Sequence, residues 1–175
     1  MKKIFFYSLL FLFCSSCEKE KWETNPEKVE LGTFRWKVDG KKAEASSTLF
    51  GTVRPISVFY NKTGSQDFFN YPPGFLSIQG IAAGIGAVFM QKIGVFSIGE
   101  YQLISEGCKS YDCDDGGFNT WEGSKDYFIE NGKLTITKLD TVAKIISGNF
   151  HFDAIDDLGN RKKITQGIFN VNYNY

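Results

Sequence analysis

The chain has few residue types that could activate a nucleophile. A hydroxyl or thiol nucleophile needs a neighbouring base with a pKa near 7, which is usually histidine. His151 is the only histidine in the 175 residues. It alternates with Phe150 and Phe152, a pattern that predicts a position on the polar face of a strand. No Gly-x-Ser-x-Gly motif occurs either, so the sequence indicates no nucleophilic enzyme.

The carboxylates that could act in pairs are adjacent residues. Asp114-Asp115 directly precedes Gly116, and Asp156-Asp157 is followed by Leu158 and Gly159, so both pairs lie in segments where Asp stabilises a turn. A glycosidase needs two carboxyl groups that face each other across a sugar, so a carboxylate-dependent hydrolase acting on polysaccharide is the alternative function. Residues 112–116 carry oxygen ligands suited to Ca²⁺ but lack the closing Glu of an EF-hand. We therefore predict an acidic turn there, with no metal and no cofactor.

The best candidate for a binding surface is residues 106–127, the longest segment without clear strand signals. It carries Tyr111, Phe118 and Trp121 beside acidic residues and glycines. Loops of this length in compact domains are usually functional or disordered. Exposed aromatic side chains beside polar groups suit stacking on sugars or packing against a protein partner. The alternative is that Trp121 covers one end of the core.

The amino terminus has the pattern of an export signal. Lys2 and Lys3 precede a mostly apolar run over residues 4–13, which is the arrangement of a secretory signal peptide. The run is shorter than the roughly 20 residues that a membrane-spanning helix needs. Two small residues and then Cys17 follow it. An ordinary signal peptide cut nearby, with Cys17 as a spare thiol, is the alternative.

Residues 14–17, Cys-Ser-Ser-Cys, resemble the lipobox of bacterial lipoproteins, although Cys14 stands where Leu or Val is commoner. The resemblance implies that residues 1–16 are removed, that Cys17 carries a diacylglycerol thioether, and that the protein's first partner is a membrane. The run Glu-Lys-Glu-Lys after Cys17 is similar to the export signal of surface-exposed Bacteroidota lipoproteins. It implies an outer-membrane lipoprotein on the cell surface, with a periplasm-facing protein as the alternative. By this resemblance residues 17–31 comprise the lipidated Cys17 and, because the rest of the segment is charged, a flexible tether.

A second resemblance covers most of residues 32–173. Residues 32–41 read Gly-Thr-Phe-x-x-x-Val-Asp-Gly-Lys, residues 147–152 read Ser-Gly-Asn-Phe-x-Phe, and residues 164–169 read Ile-Thr-x-Gly-x-Phe. These motifs look like the opening and closing hairpins of small β-rich domains of unknown function found on Bacteroidota lipoproteins. The resemblance implies a fold, and no activity comes with it.

Cys108 and Cys113 are the two cysteines that remain in the body of the chain. Outside the cytoplasm, a pair at such short spacing favours a disulfide. Closing so small a loop would contribute about 2 kcal/mol. Free thiols are one alternative. A metal site is the other, although it would need two further soft ligands and His151 is the only histidine.

Strand patterns dominate the rest of the chain, which is 16% aromatic and holds 18 Gly but only 4 Pro. Strict alternation over residues 33–38 predicts a strand with its apolar residues inward, and Asp39-Gly40 predicts a hairpin turn after it. Asn131-Gly132 predicts a second hairpin turn by the same rule. Residues 81–90 are apolar throughout and predict one buried strand with glycines at bends.

These patterns predict a single all-β domain over residues 32–175. About ten short strands joined by hairpin turns favour an antiparallel β-sandwich, with a lipocalin-like β-barrel as the alternative. Removal of residues 1–16 takes away two of the 20 basic residues and none of the 20 acidic ones, which leaves a net charge of about −2. Without a basic surplus, nucleic acid is excluded as a partner. The leading hypothesis is a non-enzymatic binding module for a glycan, a peptide or a partner protein.

Overall fold

The computed structural model describes residues 22–45, 55–63, 71–104, 116–120 and 125–174. Apart from one turn of 3₁₀ helix at Pro26–Lys28, the regular structure of these residues consists of strands. The strands are β1 (Thr33–Val38), β2 (Lys41–Glu44), β3 (Ile56–Asn61), β4 (Phe75–Ala82), β5 (Gly86–Lys92), β6 (Gly99–Leu103), β7 (Gly116–Thr120), β8 (Lys125–Asp140), β9 (Ile145–Ile155) and β10 (Arg161–Asn172). The predicted all-β fold class is confirmed. None of the described segments forms a helix long and apolar enough to span a bilayer.

All ten strands belong to one antiparallel sheet. Its order is β2-β1-β10-β9-β8-β7-β5-β4-β3, and β6 pairs with β8 next to β7. The sheet curls until β3 reaches the end of the chain beyond β10. There the Tyr60 N–H donates to the Asn174 carbonyl at 3.1 Å, and the Asn174 N–H donates to the Val58 carbonyl at 3.0 Å. The result is a barrel-like sheet wrapped around one core.

The core is filled by the inward-facing residues that strand alternation predicts. Phe34 and Trp36 are fully buried and Val38 nearly so, which confirms the predicted inner face of β1. The ring of Phe34 lies 5.4 Å from the ring of Phe150 and 6.2 Å from that of Phe169. β1 therefore packs its aromatic side chains directly against those of β9 and β10.

Glycines give the core rings the space they occupy. A Cβ added to Gly167 in β10 would lie 2.5–2.6 Å from three carbons of the Phe150 ring. A Cβ on Gly80 in β4 would lie 2.3 Å from the ring of Phe34. The Phe150 ring therefore lies on the backbone of the adjacent strand β10, and the Phe34 ring lies on that of β4 across the core, each at a position where only glycine fits without movement.

A pair of tyrosines closes one end of the curled sheet. The rings of Tyr60 and Tyr173 meet edge to face, with their centroids 5.3 Å apart. The Tyr60 hydroxyl donates to the Val95 carbonyl at 2.9 Å, and the Tyr173 hydroxyl donates to the Asp140 carbonyl at 3.4 Å. Their apolar faces complete the core while their polar atoms are satisfied.

The predicted hairpin turn at Asn131-Gly132 is wrong. Both residues lie inside β8, which pairs with β9 on both sides of this point and has a bulge between Ile129 and Asn131. Glycine is required here for a different reason. A Cβ on Gly132 would lie 2.4 Å from the Cβ of Phe152 across the ladder. Gly132 therefore marks a point where β8 and β9 approach each other closely, and not a turn.

The predicted single strand over residues 81–90 is also wrong. This segment is a hairpin in which Ala82, the last residue of β4, pairs with Gly86, the first residue of β5. Gly84 lies in the turn with φ +69°, a conformation that glycine adopts readily. Both arms carry buried residues, which explains why no polar residue marks the turn.

The segment over residues 106–127 is less irregular than predicted. Residues 116–120 form β7, and residues 125–127 begin β8. The cross-strand partners Gly117 and Phe128 show that β7 belongs to the sheet. Gly116 and Gly117 at the start of β7 allow this strand to lie close to its neighbours. These residues are therefore buried in the sheet, although their sequence resembles a loop.

Residues 22–31, which the sequence placed in a flexible tether, pack on the outer face of the sheet. The guanidinium of Arg35 donates to the Glu23 carbonyl at 2.7 Å. Further along, the side-chain amide of Asn170 donates to the Val29 carbonyl at 2.8 Å. Charge composition alone did not reveal these contacts, because they use backbone carbonyls. Residues 17–21 lie outside the described residues.

Candidate functional site

Three lysines occupy inward-facing positions at the end of the sheet opposite the tyrosine pair. Each lies two residues from a buried residue of the same strand: Lys41 from Ala43, Lys125 from Tyr127, and Lys162 from Ile164. Because side chains alternate between the two faces of a strand, these lysines are on the same side as the core. The inner face of the sheet therefore changes from apolar to cationic at this end.

A pocket of about 350 Å³ opens between these lysines. Its described lining comes from β1, β2, β7, β8, β10 and the β4–β5 turn. Val38, Ile85 and the ring of Phe118 contribute apolar surface, and Thr120 and Tyr127 contribute hydroxyl groups. The volume is near the lower limit for small-molecule sites, which are often found in the mouths of closed sheets.

Asp39 in the β1–β2 turn holds one of the lysines in place. Its carboxylate accepts from the Lys162 ammonium at 2.8 Å and from the Lys163 N–H at 3.0 Å. Burial alone would raise the pKa of Asp39. The hydrogen bonds from Lys162 and Lys163, with the positive charges of Lys162 and Lys41, outweigh burial and lower that pKa. The same hydrogen bond raises the pKa of Lys162, so both groups are charged at neutral pH.

The other two lysines give the described part of the pocket lining a positive charge. Neither Lys41 nor Lys125 forms an ion pair within the part of the chain that the structure describes. Asp39 is the one carboxylate among the described lining residues, against three lysines. The described lining therefore carries a net charge of +2, and it presents one carboxylate, Asp39, among cationic donors.

The aromatic residues predicted to bind ligand are placed only in part. Phe118 lies in β7, where it is 1% exposed and packs 6.2 Å from the ring of Tyr127. It is therefore a core residue at the floor of the pocket and not an exposed aromatic. The other predicted site residues lie outside the described residues: Tyr111, Trp121, Cys17, Cys108 and Cys113. The disulfide, the lipidation and the binding roles of Tyr111 and Trp121 stay predictions.

The remaining polar candidates have structural positions. Asp156 accepts hydrogen bonds from the backbone N–H groups of Leu158 at 2.9 Å and Asn160 at 2.7 Å, as predicted for a turn residue. These bonds help to lower the pKa of Asp156, the largest effect being that of the Asn160 side chain. His151 is exposed on the outer face of β9, as predicted. Within the described residues, no group of three or more acidic, histidine or cysteine side chains is arranged to hold a metal.

The family model for a domain of unknown function (DUF6252) matches residues 58–171, nearly two thirds of the chain. The chain belongs to the DUF6252 family. The DUF6252 match begins in β3 and ends in β10, so it includes the pocket residues Lys125 and Lys162. Asp39 and Lys41 precede the matched region, although β1 pairs along β10 and is part of the same sheet. Neither the curated proteins nor the solved structures contain a match to this chain.

Proposed function

We propose that this DUF6252 protein is a non-enzymatic binding module of the cell envelope that takes a small ligand in the pocket between the three lysines. The observation that carries the proposal is the difference between the two ends of the sheet. One end is closed by Tyr60 and Tyr173, whose hydroxyls are hydrogen-bonded. The other end places lysines at inward-facing positions around an open pocket of about 350 Å³.

The polar end is difficult to explain by stability alone. Inward-facing lysines contribute little apolar burial, and a charge must stay solvated or paired to avoid a large desolvation cost. A sheet that needed only to be closed could use aromatic side chains at both ends. A ligand that pairs with Lys41 and Lys125 gives this arrangement a role.

Binding is better supported than hydrolysis at this pocket. Hydrolysis of a glycosidic bond by the usual mechanism needs two facing carboxyl groups. Asp39 is the one carboxylate of the described lining, and it is engaged by Lys162 and Lys163. Of the other hydrolase candidates that are described, Asp156 holds the turn between β9 and β10, and Asp157 is exposed beside it in that turn.

The pocket is tested by filling it. We expect Thr120→Trp, which adds an indole to the lining, to abolish binding to a panel of saccharides and peptides that the wild-type chain recognises. Thr141→Trp, in the exposed turn between β8 and β9, is the matched control and should bind normally. Circular dichroism verifies that both variants fold. Equal binding by Thr120→Trp would place the site elsewhere, and cleavage of a polysaccharide by the wild type would favour the hydrolase.

The proposal includes an anchor on Cys17 in the outer membrane, on the surface-exposed side. The lipobox-like residues 14–17 and the charged run after them support it. We expect Cys17→Ala to leave the domain folded and to release it from membranes. Cys14→Ala is the matched control and should stay membrane-bound. Retention of Cys17→Ala in membranes would contradict the anchor, and protection from protease in intact cells would favour the periplasm-facing alternative.

A further inference from the structure

We infer that the ligand of this pocket is an acidic sugar, that is, a pyranose ring bearing a carboxylate and free hydroxyl groups. The inference rests on the proposed function and adds the chemical class of the ligand. It comes from three properties of the pocket: two lysines that form no ion pair within the described residues, the ionised carboxylate beside them, and the size of the pocket.

The first property selects an anion. Lys41 and Lys125 are exposed at the mouth and form no ion pair within the described residues. Their positions on β2 and β8 bring them to one pocket although 84 positions separate them in the sequence. Charge-assisted hydrogen bonds from two ammonium groups would hold a ligand carboxylate.

The second property requires that the same ligand also donate hydrogen bonds. Asp39 lines the pocket with its side chain 43% exposed, and each of its carboxylate oxygens accepts one hydrogen bond from the protein. A carboxylate has about four acceptor positions, so two remain for a donor. A phosphate or sulfate that only accepts hydrogen bonds would be repelled by this charge, whereas a sugar hydroxyl would donate to it.

The third property limits the size and shape of the ligand. A volume of about 350 Å³ is at the lower limit for small-molecule sites, so it suits one or two sugar rings. Val38 and Ile85 give the lining an apolar side against which the C–H face of a pyranose can pack. The Tyr127 hydroxyl is of a type that can both donate to and accept from ring hydroxyls. An acidic sugar therefore complements all three parts of the pocket: its carboxylate meets the lysines, its hydroxyls meet Asp39, and its C–H face meets the apolar side.

The test compares matched ligands on the purified full chain, by isothermal titration calorimetry and saturation-transfer NMR. Galacturonate and glucuronate, with their disaccharides, are compared with galactose and glucose, with their 6-phosphates, and with a glutamate-containing tripeptide. We expect the uronates to bind and the neutral sugars to bind at least about tenfold more weakly, because they lack the carboxylate. We expect Lys41→Gln and Lys125→Gln each to weaken uronate binding about two- to fivefold and to reduce its dependence on salt. Lys138→Gln, an exposed lysine at the far end of β8, should have no effect.

Asp39→Asn separates an acidic sugar from other anions. It removes the acceptor for a ring hydroxyl, so it should weaken binding of the uronates, whereas free sulfate, which has no hydroxyl to donate, should bind more tightly once the repelling charge is gone. Equal binding of neutral sugars and uronates, or tighter binding of sugar phosphates or of the tripeptide by the wild type, would overturn the inference. Absence of binding by every uronate would overturn it as well. The Thr120→Trp experiment then decides separately whether the pocket binds some other ligand, so the two failures are distinguishable.

Discussion

The contact between Gly167 and the Phe150 ring gives a quantitative test of how the core is packed. In Gly167→Ala, the new Cβ would lie 2.5–2.6 Å from three ring carbons, which is about 1 Å closer than carbon atoms normally approach. The backbone of Gly167 is outside the left-handed region, so alanine can adopt it and the ring is the obstacle. The ring has little freedom to move, because Phe34 and Phe169 pack around it.

The expected magnitudes follow from these contacts. Overpacking of a core costs about 1–3 kcal/mol, and replacing glycine returns about 0.4–1 kcal/mol by restricting the unfolded chain. We therefore expect Gly167→Ala to lower the free energy of unfolding by about 1–2 kcal/mol. Phe150→Ala removes a buried ring and should cost about 3–5 kcal/mol. In that background the obstacle is gone, and Gly167→Ala should be neutral or stabilising by up to about 1 kcal/mol.

A double-mutant cycle measured by chemical denaturation tests this reasoning. The two substitutions should show an interaction energy of about 1–3 kcal/mol. Gly132→Ala is the matched control, because its Cβ would meet the Cβ of Phe152 at 2.4 Å and the His151 carbonyl at 2.6 Å. Its cost should be the same with and without Phe150. The reasoning is refuted if Gly167→Ala costs the same in both backgrounds, or if Phe150→Ala costs less than about 1.5 kcal/mol.

Three further predictions concern single residues. Because the pKa of Asp39 is below its ordinary value of 3.8, its pair with Lys162 stabilises the fold above that pH and is lost as pH falls through the lowered pKa. Asp39→Asn should therefore lose less than about 1 kcal/mol at neutral pH, since the pair is partly exposed, and the difference from the wild type should shrink as the pH falls below 3.8; a difference that does not shrink in acid would contradict this. Trp36→Phe should change the free energy of unfolding by less than about 1 kcal/mol, because it removes a buried Nε1–H that has no partner among the described residues. A loss above about 2 kcal/mol would show that the packing of the indole contributes more to stability than its unpaired N–H costs. Asp156→Ala should speed hydrogen exchange at the Leu158 amide, and unchanged exchange there would mean that the carboxylate does not hold the turn.

The features of the fold that depend on neighbouring residues could be predicted from the sequence. Alternation over residues 33–38 gave the buried face of β1, and Asp39-Gly40 gave the turn after it, because pleating and turn geometry involve only adjacent residues. Glycine was ambiguous for a physical reason. It permits a turn at Gly84 and a close approach of strands at Gly132, and a single sequence does not separate these two uses.

The candidate pocket could be predicted only in part. The two-residue spacing of Lys125 from Tyr127 and of Lys162 from Ile164 already places each lysine on the inner face of its strand. Their convergence depends on strand order, since β8 and β10 are separated by β9 and β1 joins β10 from its far side. The sequence favours the aromatic residues of the 106–127 segment instead. Its glycines at residues 116 and 117 resemble a loop, so the strand that buries Phe118 was not predicted.

The packing of residues 22–31 on the sheet has a consequence for where the domain would sit on a cell. The ring of Trp22 lies 5.2–5.5 Å from the cationic groups of Arg35, Lys37 and Lys42. Only five residue steps separate Trp22 from Cys17, and even a fully extended chain of that length reaches no more than about 18 Å. An acyl group on Cys17 would thus confine this outer face of β1 and β2 to the region of the lipid headgroups. Molecules that the domain captures would then be held next to the bilayer rather than far out in the medium.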